Sequence, residues 1–149
     1  PFIRQGITTQ ITGNCSFSPF GTAEDTPYRD KLGGGLFESR FTGSLSSFCK
    51  KLNGKLHVNI VPLVGHGSVR AGMFGYDSAP LTKEQIDKEI EYVRNALEDG
   101  AFGGSMGFMY EPNRYASKDE IYAFAREIAV CNYKFVTVSH LAKSLEEFG

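Results

Sequence analysis

Short β-branched or apolar runs alternate along this chain with longer stretches whose apolar residues recur every three or four positions. Gly6 to Thr12, GITTQIT, has the composition and length of a strand. In Ser44 to Leu52, Leu45, Phe48, Cys49 and Leu52 fall at i, i+3, i+4 and i+7, one apolar helix face that ends at Asn53-Gly54. Leu56 to Val64 is a second, nearly continuous apolar strand, interrupted by Pro62. Thr82-Lys83-Glu84-Gln85 is a capping box that opens a helix with Ile86, Ile90, Val93 and Leu97 on one stripe, closed by Asp99-Gly100. Ala101 to Gly107 is a glycine-rich strand. Ser117-Lys118-Asp119-Glu120 opens another helix, with Ile121, Phe124, Ala125 and Ile128 inward, reaching Val130. Tyr133 to Val138 is a fourth strand, and a further helix can begin near Ala142. Residues 16–43, 65–81 and 108–116 read as loops, the first rich in Gly, Ser, Pro and aromatics.

The resulting order, β-α-β-α-β-α-β, predicts an α/β fold with a mainly parallel sheet covered by helices. Such sheets bind ligands at the carboxyl ends of their strands. Cys15, His66, Tyr110 and His140 each follow a predicted strand, a recurrence found nowhere else in the sequence.

Composition narrows the field. The 149 residues suit one α/β domain over 1–149, and 41% apolar with 22% charged residues is ordinary for a globular chain. A net charge of −1 offers no basic field for nucleic acid or an anionic membrane, and no apolar run has the length of a membrane span. The three cysteines match no zinc-finger or CxxC spacing, which favours a reduced, cytoplasmic protein. The start at Pro1 suggests an excerpt from a longer protein or a processed chain.

Cys15 stands at a strand exit between Asn14 and Pro19, where a cysteine is a buried filler, half of a disulfide, a nucleophile or a soft ligand for a metal such as zinc. Cys49 reads as core, on the apolar helix face, and Cys131 as structural. His140 closes the last strand, as a metal ligand or a hydrogen-bonded loop histidine. His66, between two glycines, is either a turn residue with a bonded imidazole or part of an active-site loop. His57 reads as surface, and Glu98 and Asp99 as solvated at a helix end. GxGxxG, GxxxxGK[ST] and GxSxG are all absent, which argues against nucleotide binding and a serine-hydrolase elbow.

Three stretches together carry a resemblance: QGITTQITGNCSFSP (5–19), SFCKKL with VNIVPLVGHGSVR (47–70), and ALEDGAFGGSMGFMYEPNRYASKDEI (96–121). In order and spacing they resemble the N-acyl-D-amino-acid deacylases, or D-aminoacylases, of the amidohydrolase superfamily. The resemblance implies that the chain is part of a (β/α)8 (TIM) barrel and that the enzyme hydrolyses the amide of N-acyl-D-amino acids with zinc. It implies metal ligation by Cys15 and His140, and a substrate pocket that includes Met109 and Tyr110. The family's H-x-H pair, a later histidine and the general-base aspartate have no counterpart here and should lie outside the chain, so the isolated 149 residues are expected to be inactive. Ser16, where the family has Gly, and Met106, where Thr is common, are departures. A half-barrel leaves two strand edges open, so its partners should be the rest of the barrel or, in isolation, a second copy through self-association. The rival expectation is a non-enzymatic α/β domain that binds a ligand or protein with the 16–43 loop.

Overall fold

The computed structural model describes residues 2–24, 27, 41–130 and 135–139. Its four strands are β1 (Thr9–Thr12), β2 (Asn59–Gly65), β3 (Gly103–Gly107) and β4 (Phe135–Ser139), and they form one sheet in the order β1-β2-β3-β4. Every neighbouring pair is parallel, with Thr9 opposite Asn59, Leu63 opposite Gly103 and Gly103 opposite Phe135. Four helices connect them: α1 (Leu45–Leu52), α2 (His66–Phe74), α3 (Lys83–Glu98) and α4 (Lys118–Val130). Sequential strands lie side by side and parallel because each connection carries a helix back over the sheet. This is the arrangement of half a (β/α)8 barrel.

The core lies between the sheet and its helices. Val64 of β2, Val93, Ala96 and Leu97 of α3, and Phe124 and Ile128 of α4 are buried in one cluster. Burial of each large side chain there is worth about 1.5–3 kcal/mol. Local signals fix the helix starts. Thr82 accepts from the Gln85 N–H while the Gln85 side chain accepts from the Thr82 N–H, so the capping box closes in both directions. At α4 the cap closes in one direction only. Ser117 Oγ accepts from the Glu120 N–H at 3.2 Å, but the Glu120 carboxylate turns into the interior.

The structure corrects two sequence expectations. Residues 65–81 are not a continuous loop, because His66 to Phe74 form α2, so His66 stands at the start of a helix rather than in a loop. This helix has no side-chain N-cap, and its first six residues are all buried. Tertiary burial sustains it, and no amphipathic stripe announced it. Cys49 is exposed, since Leu45 and Phe48 take the buried face of α1. The long loop predicted over 16–43 falls largely outside the described residues, but its ends meet in an antiparallel bridge, with the Gly43 N–H donating to Gly21 O at 2.7 Å. His57, Glu98 and Asp99 are exposed, as expected. Cys131 and the segment from Ala142 lie outside the described residues.

At the end of β2 backbone rests closely on backbone. A Cβ on Gly65 would stand 2.3 Å from Ser16 O and 2.6 Å from the Phe17 carbonyl carbon, so only glycine lets the chain after β1 lie on it. Gly65→Ala is therefore expected to destabilise the protein by about 1–3 kcal/mol, read as a lower urea midpoint. Thr82→Ala removes one cap and should cost about 1 kcal/mol, read by thermal unfolding, with no effect on the turn after β1.

Candidate functional site

At the carboxyl end of β1 the chain turns sharply. Cys15 and Ser16 both adopt left-handed backbone angles, φ 55° and 79°, which side chains other than glycine rarely take. Position 16 thus has the backbone that favours the glycine common in the resembled family. Here a serine occupies it, and its polar atoms are all engaged. Ser16 Oγ accepts from the Gly107 N–H at 3.0 Å, from the Gly67 N–H at 3.2 Å and from Asn113 Nδ2. The Ser16 N–H donates to Ser105 Oγ at 3.1 Å, and that hydroxyl donates to Gly13 O. The Ser68 N–H donates to Ser16 O at 3.1 Å, the Ser18 N–H to Ser68 Oγ at 3.0 Å, and the Gly65 N–H to Ser18 Oγ at 2.8 Å. These bonds outweigh the roughly 1–2 kcal/mol cost of a left-handed residue.

Cys15 is thereby held at the rim as a free, half-buried thiol. A Cβ on Gly107 would lie 3.0 Å from Cys15 O and 3.1 Å from its carbonyl carbon, so the bare end of β3 makes room for the turn. The loop after β3 joins the same rim. The Tyr110 ring meets Phe17 edge-on at 5.9 Å, and Met109 beside it is 64% exposed. The structure therefore brings Cys15 and Tyr110 to one end of the sheet. Ser139, which ends β4, pairs with Gly107, the residue against which Cys15 packs. His140 itself lies outside the described residues.

His66 goes elsewhere. Its ring is fully buried against Phe124, edge-on at 5.2 Å, and its Nε2–H donates to Glu120 at 2.9 Å and stands 3.5 Å from Glu89. Arg70, one turn further along α2, donates through Nη1 to both oxygens of Glu120 at 2.7 and 2.6 Å. The Arg of LVGHG-x-x-R is thus an interior anchor for α4. Among the described residues, His66, Glu89 and Glu120 are the group of His, Cys, Asp and Glu with ligand atoms mutually within 4.8 Å, and Cys15 is not among them. Burial works to lower the pKa of His66, but the nearby Glu89 and Glu120 carboxylates outweigh it and raise it. Burial pushes Glu89 up to about 7, against the opposing pull of His66. Burial also acts to raise Glu120, but its bonds to His66 and Arg70 prevail and lower it. Sequence reasoning missed both glutamates, although Glu89 stands on the apolar stripe of α3 between Ile86 and Val93, and Glu120 lies one turn before Phe124.

No family profile matches the chain. The chain is 30% identical to a D-aminoacylase of Alcaligenes xylosoxydans xylosoxydans over 99% of its own length, and 34% identical to an N-acyl-D-aspartate deacylase of the same organism over 81%. It superposes on a solved D-aminoacylase, described as having a binuclear metal centre, with a TM-score of 0.80 and 30% identity over 97% of this chain. It superposes on the N-acyl-D-glutamate deacylase of Bordetella bronchiseptica, solved with zinc and a phosphonate inhibitor, with a TM-score of 0.81 and 26% identity over 99%. The chain spans 32% of the D-aminoacylase and of each of these two solved chains. With its all-parallel sheet and the Cys15 turn at the sheet's carboxyl rim, the chain belongs to the N-acyl-D-amino-acid deacylase family of the amidohydrolase superfamily.

Proposed function

We propose that the full-length protein containing this chain is a metal-dependent hydrolase that removes the acyl group from N-acyl-D-amino acids, and that residues 1–149 form part of its catalytic barrel. The observation that carries the reading is the Cys15 turn: two successive left-handed residues, fastened by buried hydrogen bonds, present a free thiol at the strand ends. A structural cysteine needs no such turn, whereas a ligand must be aimed.

The residues fit zinc by donor chemistry. A thiolate from Cys15 and an imidazole from His140, which follows Ser139 in sequence, are both zinc donors. When bound, the metal would acidify water and polarise the acyl carbonyl at neutral pH. This chain's part is to position. Ser16 holds the Cys15 backbone, Gly107 leaves space for it, and Tyr110 and Phe17 build an aromatic wall on which Met109 and Tyr110 can meet the substrate. The residue that moves the proton is assigned outside these 149 residues. No described helix is long and apolar enough to cross a membrane. The cysteine pattern supports a cytoplasmic setting.

Full-length protein is expected to release free amino acid from N-acetyl-D-amino acids and not from the L-forms, and a chelator should abolish the reaction until zinc is restored. Cys15→Ala should lower bound metal and reduce kcat/KM by more than the roughly 10–100-fold typical of residues that only support a ligand. Metal content and activity that survive Cys15→Ala would remove the basis of the proposal. Tyr110→Ala should raise KM by up to about tenfold, matching the ~0.5–1.5 kcal/mol of an aromatic pair, as measured by steady-state kinetics. The 149 residues expressed alone should be inactive and self-associate through the open edges of β1 and β4; a monomeric peak in gel filtration would contradict the latter.

A further inference from the structure

Four ionisable side chains are sealed between α2, α3 and α4: Arg70 is 1% exposed, and His66, Glu89 and Glu120 are 0% exposed. The charges do not balance if the imidazole is neutral. Two carboxylates then face one guanidinium, leaving a net negative charge away from water, a costly state. Arg70 is already counted in that balance: its Nη1 donates to both oxygens of Glu120 and its Nη2 to Ala79 O at 3.0 Å, and its buried Nε makes no hydrogen bond. Neither oxygen of Glu89 has a hydrogen-bond partner, and its approach to His66 Nε2, at 3.5 Å, is too long for a good one. A bare carboxylate in that position is untenable, and a single proton cancels the charge.

We propose that Glu89 and His66 hold one shared proton, that this proton makes the four-residue cluster neutral, and that the neutral cluster clamps the first turn of α2 in the place where it carries the turn after Cys15. The placement of α2 supports the second half. His66 and Arg70 project into the cluster, while the Gly67 and Ser68 N–H groups between them donate to Ser16 Oγ and Ser16 O. One turn of helix thus joins the cluster to the rim. The raised pKa values of Glu89 and His66 agree with proton retention. A divalent cation is the competing occupant, since the three donor atoms lie within 4.8 Å of one another. Arg70 opposes it: a dication would turn the cluster's excess negative charge into an excess positive one beside a guanidinium, where a proton leaves none.

The sign of the pH effect follows. A carboxyl whose pKa rises from 4.5 to about 7 on folding contributes stability that is complete below 4.5 and is lost as pH climbs through 7. His66, also raised, acts in the same direction from its ordinary value of 6.5. Glu120, lowered, acts oppositely, and only below its ordinary 4.5. Arg70 is the remaining charged group facing the pair among the described residues.

The test is urea unfolding of the full-length protein and its Glu89→Gln variant between pH 5 and 8. Glutamine needs no proton, so the wild-type folding constant should fall relative to the variant by up to about tenfold per pH unit. Parallel curves would overturn the proposal. If the variant does not fold, infrared and 15N imidazole spectra of the wild type decide. A protonated-carboxyl band or an imidazolium signal from the pair at neutral pH is expected, and the absence of both overturns it. For the clamp, hydrogen-exchange protection of the Gly67 and Ser68 amides should weaken with rising pH in the wild type, and pH-independent protection would refute it. An equivalent of bound metal that Glu89→Gln loses would assign the cluster to a cation instead.

Discussion

Backbone resting directly on backbone at the carboxyl rim of the sheet is the constraint on which this structure depends. The chain leaving β1 must lie across the end of β2, and it can do so only because Gly65 offers no side chain to Ser16 and Phe17. The end of β3 repeats the condition, with Gly107 against Cys15. Polar groups brought this close need partners, since a buried amide left unpaired costs about 1–3 kcal/mol. The serines at 16, 18, 68 and 105 supply them. The rim is therefore a polar lattice of small residues, and the thiol of Cys15 takes its position from that lattice and not from packing in the core.

Most of the frame was legible in the sequence because the relevant forces are local. The Thr82 box and the stripe of Ile86, Ile90, Val93 and Leu97 mark α3 without any knowledge of the sheet. The parallel order followed from helices long enough to cross back over the sheet. The recurrence of chemistry-bearing residues after strands correctly placed Cys15 and Tyr110 at one rim. What escaped is non-local. α2 has a glycine where an N-cap would stand and carries His66, Ser68 and Arg70 into the interior, so its polarity reads as loop. Those residues are interior only because Glu89 and Glu120, from two other helices, meet them there. Cys49 has the periodicity of a core residue, yet it lies beyond the edge of the buried face.

The family motifs acquire distinct physical meanings in this light. GNC and the glycine of GFMYEP's approach, Gly107, shape the rim, whereas the His and Arg of LVGHG-x-x-R face away from it and organise the helix layer. Sequence likeness alone treats these as one signature. The structure separates a part that presents chemistry from a part that holds α2, α3 and α4 in mutual register. Arg94 and Glu127 add a bidentate link between α3 and α4 on the outside, at 2.7 and 3.0 Å, but an ion pair with the Arg 52% exposed contributes little beside the buried set.

Three of the bonds that fasten Ser16 span 89, 91 and 97 residues of chain, to Ser105, Gly107 and Asn113. Contacts so distant in sequence carry the largest loop-closure entropy and form after local helices and neighbouring strands. Locally the turn at Cys15 is closed by one bond, from the Phe17 N–H to Asn14 O at 3.2 Å. The thiol is synthesised before β3 and the segment around Asn113, and the geometry that aims it is complete only once both have joined the rim.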